Sequence, residues 1–416
     1  MNIEKYSIGI GDRFGRAGAA QMRAVRSAEA LGTVVVPVWN KSFREHSLIG
    51  TRPDDVRAEA DAAVRGAEWR HPYHVDADHI GLKTVDAFVD ASDFFTLDVA
   101  DFIGHAAPDA AIATFVSDMR SLRKTVNLRG VGAPLEVTDA MLERVGRQYL
   151  HAVLEASKTY RHVAERRGSR DFIAEVSVDE AAEPQQPWEL FFILGALARA
   201  DVPVQTIAPK FSGKFLKGID YVGDVDVFAR EFEAHLEVVE QAIAVFGLPP
   251  SLKLSVHTGS DKFSLYPAMR SALKKHGAGL HLKTAGTTWL EEVIGVALSG
   301  ASGFRVVARV YREAVGRFDE LCKPYATVVE IDRSRLPSPA AVEEGTAEQF
   351  VRLLRHDRGC QDYSVDVRQL MHVAFKVAAE MGDEYRDALG SAAQTADRCV
   401  TDNLFERHIR PLFIDA

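Results

Sequence analysis

Short runs of β-branched and apolar residues alternate along the chain with longer segments whose apolar positions recur every three to four residues. A strand covered on both faces reads as such a run, while its crossover helix keeps a polar side, so the alternation predicts a parallel sheet wound with helices. Eight runs stand out: residues 6–12, 33–40, 73–80, 94–100, 172–180, 203–211, 253–261 and 279–287. Eight parallel strands close a (β/α)8 barrel, and a TIM barrel is the expected fold. Segments such as AGAAQMRAVRSAEALG, PWELFFILGALARA, VFAREFEAHLEVVEQAIAVFG and TWLEEVIGVALSG supply crossover helices, some closing on Gly as helices commonly do.

Between the fourth and fifth runs, residues 101–171 are too many for one crossover and predict a helical insertion, with LEVTDAMLERVGRQYLHAVLEASKTYRHVAERRG as its long helix. After residue 300 strand signals become sparse, and only ATVVEID at 326–332 resembles one. The expected organisation is therefore a catalytic barrel over 1–300 and a mostly helical extension or cap over 301–416.

Barrel active sites form at the C-terminal ends of the strands, so polar residues there are the functional candidates. Six of the eight runs end in such groups: Asp12 and Arg13; Asp78 and His79; Glu175 and Asp179; Lys210; His257 and Asp261; His281 and Lys283. Imidazoles arriving from separate strands commonly hold a divalent ion, which makes His79, His257 and His281 the expected ligands, with Asp78 or Glu175 completing the set. Lys210 and Lys283 follow apolar runs and are read as catalytic cations, able to bind a carboxylate, stabilise an enolate or act as a base. His281 and Lys283 share a face by strand alternation. The small residues of GIGDRFGRAG and TGSDKF, with Asp12, Arg13, Ser260 and Asp261, suit loops that approach an anionic substrate. His372, inside an apolar helical run, reads as a core or interface histidine.

Composition narrows the function classes. The formal net charge of −9 over 416 residues leaves no basic stripe for nucleic acid, so a small-molecule substrate is expected. Cys322, Cys360 and Cys399 lack CxxC spacing and read as reduced thiols in a cytoplasmic protein. No signal-peptide pattern and no 18-residue apolar run is found, so no membrane association is expected. The GxGxxxG of the first run is not the dinucleotide fingerprint. The apolar C-terminal helices are compatible with a homo-oligomer interface or an intramolecular cap.

The stretches GDRFGRAG, VDADHI, EVSVDE with PWELFFILGAL, TIAPKFSGKFLKGIDYVGD, LSVHTGSDKFSLYP and HLKTAGTTWLEEV occur in order between about residues 9 and 293. Together this series resembles the tagaturonate epimerase family. The resemblance implies a metal-dependent enzyme interconverting D-tagaturonate and D-fructuronate, with a divalent ion such as Zn, Mn, Ni or Co, and some relatives acting on neutral ketoses. The inverted carbon of that reaction lies two bonds from the ketone, so enolisation cannot exchange its hydrogen. Retro-aldol cleavage and re-addition is the expected route, with Asp78 or Glu175 moving the hydroxyl proton and Lys210 or Lys283 holding negative charge. Transient oxidation is the other route to inversion. Arg13 is the expected partner of the uronate carboxylate. A sugar-acid isomerase or aldolase on the same barrel, or a sugar-acid sensor without turnover, are the alternative readings.

Overall fold

The computed structural model describes residues 1–122 and 136–414. Eight parallel strands close one barrel in sequence order: β1 Tyr6–Ile10, β2 Val36–Ser42, β3 His74–Ile80, β4 Phe94–Asp98, β5 Ile173–Ser177, β6 Thr206–Ala208, β7 Lys253–His257 and β8 Leu280–Lys283. Each strand overlaps one of the eight apolar runs. Most strands are shorter than their runs, because the polar tails leave the sheet and turn toward the mouth. The sixth run yields only three paired residues.

Strand alternation sorts side chains between the barrel lumen and the helical shell. At the bottom of the lumen Val38, Phe94 and Ile173 pack with Ile3 as a small apolar plug. Above it the lumen becomes polar: register pairs Ser7 and Ser255 with His281, and one layer higher Gly9 and His257 with Lys283. Gly9 is required there, since a Cβ would sit 2.8 Å from Asn40 Nδ2 and 3.0 Å from Lys283 Cγ. The long lysine stem occupies that space.

Local signals fix the helical shell. Pro187 opens the helix Pro187–Arg199, and Glu189 reaches back to Gln186 in a capping box. Gly168, Gly247 and Gly277 close three helices in the left-handed conformation that glycine adopts without a Cβ clash. In the region after β4, Asp109–Met119 and Asp139–Arg167 are helices packed on each other, and the longer one also contacts the helix Pro187–Arg199. The expected insertion thus contains the fourth crossover helix itself, plus one extra helix; the expected long helix starts at residue 135, and 123–135 lie outside the described residues.

From Ala301 onward the described chain is helical with connecting turns. Residues 326–332 form no strand, correcting that expectation. Their apolar residues Val329 and Ile331 pack sideways into a second core, where Trp289, Leu290, Val293 and Ile294 of the barrel helix Thr287–Leu298 meet Val307, Tyr311, Leu370 and Phe375. Most of the apolar surface of the C-terminal helices is therefore spent inside the chain. Among the described residues no helix is long and apolar enough to cross a membrane.

Candidate active site

A cavity of about 890 Å³ opens at the C-terminal ends of the strands, within the size range of small-ligand sites. Lys283 stands at its floor. Its ammonium lies 2.6 Å from Asp78 Oδ1, 2.7 Å from Asp76 Oδ2 and 3.6 Å from Glu175 Oε1, and donates to Thr96 Oγ1 at 2.8 Å. The Thr96 hydroxyl lies between Asp76 (2.9 Å) and Glu175 (3.2 Å), and Thr206 donates to the other oxygen of Glu175 at 2.8 Å. His257 bridges two carboxylates, with Nε2 2.8 Å from Glu175 Oε1 and Nδ1 3.1 Å from Asp179 Oδ2.

β3 delivers two of these groups through a defect. Its pairing with β4 shifts register between Ala77 and Ile80, and His79 adopts φ +50, a conformation rare for a residue with a Cβ and commonest where function requires it. The bulge lets Asp78 and His79 both face the cavity, where strict alternation would send them to opposite faces. The His79 ring sits 5.2 Å from that of His257. His79 Nδ1 lies 3.5 Å from Asp98 Oδ2 and is buried without a hydrogen bond.

Charge coupling divides the roles. Burial opposes the charge on Lys283, but Asp76, Asp78 and Glu175 outweigh it and hold the ammonium well above its ordinary range. The reading of Lys283 as a base is therefore corrected: its neighbours hold it as a cation. Burial, with Asp78 and Glu175 nearby and against the pull of Lys283, pushes Asp76 up to about 6. Against burial, Lys283 and His79 bring Asp78 down to about 2. Against burial, Asp179 and Glu175 raise His257 to about 10.

Other expected site residues fall elsewhere. His281 is in the lumen one layer below Lys283, with Nδ1 2.9 Å from Ser7 Oγ; burial and neighbouring cations lower it to about 3. It does not line the cavity, so the expected three-histidine set is not assembled. Glu175 also lies beneath the cavity surface, behind His257 and Lys283. Asp12 accepts from the amides of Phe14 (2.9 Å), Gly15 (2.8 Å) and Ala17, so the amides expected to approach a substrate are taken by that carboxylate. Ser260 and Asp261 are fully buried away from the cavity. Ser260 accepts from Gly218 N at 2.9 Å, while Asp261 accepts from Arg368 at 2.7 Å and from His356 and His408 at 3.1 Å each. The substrate-binding reading of Asp12, Ser260 and Asp261 gives way to a structural one.

Lys210 lines the cavity, but its ammonium donates to the carbonyls of Ala181 and Ala182. Arg13 also lines it, with its guanidinium 2.9 Å from Glu45 and over the Phe375 ring at 4.3 Å. Sequence reasoning missed Glu180 and Lys217 and read His372 as a core or interface histidine; all three line the cavity, which corrects the reading of His372. His372 comes from the C-terminal helices, together with Tyr325 and Thr327 from the turn before them, so the extension completes the cavity wall.

The donor chemistry around Lys283 suits a divalent cation: there Asp76, Asp78, Glu175 and Asp179 outnumber Lys283 and His257, and the bulge presents an imidazole nitrogen with no hydrogen bond. Their ligand atoms are not drawn into a tight cluster. Among the described residues that closeness is found at Glu233, Glu237 and His276 on the outer helices, where Lys275 also pairs with Glu233.

The family model for tagaturonate epimerase matches residues 1–410. The chain belongs to the tagaturonate epimerase family. Within that family, a tagaturonate/fructuronate epimerase of Thermotoga maritima is 29% identical over 384 residues, covering 89% of this chain and 73% of the relative. Two glycerol-complexed crystal structures of fructuronate-tagaturonate epimerase from Cohnella laeviribosi superpose with TM-scores of 0.79 and 0.80 at 25% identity. They cover 99% and 100% of this chain and 82% and 83% of theirs. As a member of the tagaturonate epimerase family the chain is an isomerase, and its cavity at the barrel mouth is the candidate active site.

Proposed function

We propose that this enzyme interconverts D-tagaturonate and D-fructuronate by breaking and remaking the bond between the inverted carbon and the carbon next to the ketone. The observation that carries the reading is the fixed Lys283 cation among carboxylates at the barrel mouth, in a chain of this family. Cleavage places negative charge on the fragment that keeps the ketone, and a preorganised ammonium in a site of low dielectric stabilises such charge without reorganising. Lys283 is suited to that role because its charge is locked; with its three donors taken by Asp76, Asp78 and Thr96, it acts through its field.

The proton of the hydroxyl on the inverted carbon needs an acceptor at the cavity surface. Asp78 faces the cavity but is held down by Lys283, which makes it a weak base. Partial burial and the nearby Asp179 raise Glu180 from the ordinary carboxyl value, so it holds a proton more readily than Asp78 does. Glu180 is the better proton carrier. His257, anchored from both sides by Glu175 and Asp179, orients the ring that meets the substrate.

His79 with Asp78 or Asp179 would hold a divalent ion, joined by His257 once it gives up a proton and one of its two carboxylate contacts, and the ion would act as a Lewis acid on the ketone and hydroxyl oxygens. The test is to incubate purified protein with D-tagaturonate after chelation and after adding back Mn²⁺, Ni²⁺, Co²⁺ or Zn²⁺, following D-fructuronate by chromatography. Product that appears only with an added ion supports the whole reading. Full turnover in the chelated protein removes the ion from it, and no product with any ion removes the substrate.

A further inference from the structure

The cavity is lined by six cations, and five of them are engaged. Lys283 pairs with Asp76 and Asp78, Arg13 with Glu45 and Lys214 with Glu330; Lys210 donates to two carbonyls, and exposed Arg44 lies over the Tyr325 ring. Lys217 is the sixth. Among the described residues its ammonium makes no hydrogen bond or ion pair.

Its position is nevertheless fixed. The Lys217 amide donates to Val328 O at 2.8 Å, and the next amide, of Gly218, donates to buried Ser260. On the other side Leu216 O accepts from the buried ammonium of Lys262 at 3.0 Å. The end of the side chain rests on Gly259, whose missing Cβ would come within 3.1 Å of Nζ. Gly259 is itself left-handed, at φ +64. A half-buried ammonium, anchored through its backbone and given room by a glycine, is prepared for a contacting counter-ion, since Glu45, Glu180 and Asp179 act on it without forming an ion pair.

We propose that Lys217 receives the substrate's carboxylate and so sets the preference for a keto sugar acid over the neutral ketose. This rests on the sugar-acid reading above and adds to it the group that recognises the acid. Arg13, the other candidate, already has Glu45. The lowered proton affinity of Lys217, caused first by burial, agrees with a cation lacking its partner. Within one cavity, Lys217 then serves the acid end of the substrate and the Lys283 floor serves the reacting end.

The experiment compares wild type, Lys217→Met and Lys217→Arg, all metal-supplemented full chains, in turnover and in calorimetric binding of D-tagaturonate and D-tagatose. Loss of one charge-assisted contact should raise KM and Kd for tagaturonate about 10- to 100-fold and erase most of the preference over tagatose. Lys217→Arg should restore most of it, which a merely structural role for the lysine would not require. An unchanged preference in Lys217→Met, or equal losses on both ligands, overturns the proposal. If wild type converts neither sugar, the epimerase reading falls, and binding still decides: Lys217-dependent selection of tagaturonate upholds the carboxylate site, and no selection by wild type refutes it.

Discussion

Two buried ionic clusters lie within the same chain and are built to opposite plans. Around Lys283 one ammonium serves Asp76, Asp78 and Glu175, and His257 ties in Asp179. Negative groups are in excess, and the cluster opens on a cavity. Around Asp261 a single carboxylate is enclosed: Thr287 and His408 donate to one oxygen, and Arg368 and His356 to the other. It joins the β7 loop to the C-terminal helices. Burying charge costs several kcal/mol per ion unless partners compensate it, so the closed cluster is suited to holding the fold and the open one to receiving a substrate or an ion.

Three substitutions and a control test this contrast. The largest effect is expected at Lys283. Lys283→Met should lower kcat by about 10³-fold, on the scale of losing a preorganised donor to developing charge, while circular dichroism still reports a folded barrel. Equal kcat in the variant would mean that the open cluster is not catalytic.

Asp261→Asn should act on stability, costing about 3–5 kcal/mol in urea unfolding because Arg368 is left buried without its anion. The folded fraction should keep kcat within a few-fold of wild type. A large kcat loss at undiminished stability would return Asp261 to the substrate site.

A third effect depends on pH. His281 is depressed to about 3, burial being the main cause, whereas an unfolded histidine titrates near 6.5. Between those values the unfolded chain binds a proton that the folded chain does not, so this residue's contribution is present above about pH 6.5 and is lost as pH falls. The stability advantage of wild type over His281→Asn should therefore shrink by about 1.4 kcal/mol for each pH unit below 6.5, read from urea curves at pH 7, 6 and 5. A pH-independent difference would contradict burial as a neutral ring.

The smallest effect is expected at the exposed pair Lys214–Glu330. Lys214→Met should change stability by less than about 1 kcal/mol and leave KM for tagaturonate within about twofold. A larger change would show that lining the cavity, rather than lacking a partner, makes a lysine important.

The barrel was legible in the sequence because strands buried on both faces leave continuous apolar runs, and all eight coincide with strands. The strand-end rule also located Asp78, His79, His257 and Lys283. It failed where the chain turns after the strand. His257 and Asp261 are four residues apart, yet the intervening turn at Gly259 sends Asp261 away from the cavity, to partners 95 to 147 residues distant. Lys217 was missed, and His372 was assigned to the core or an interface, for the converse reason: neither sits at a strand end, and tertiary packing alone brings them to the cavity. The three-histidine expectation failed by one layer, since alternation gives His281 the same face as Lys283 but not the same height in the lumen.

The most direct test is an NMR time course of metal-supplemented wild type and Lys283→Met with D-tagaturonate in D₂O. The account predicts D-fructuronate from wild type with protium kept at the inverted carbon, and almost none from the variant. Deuterium at that carbon, or equal turnover in the variant, would contradict it.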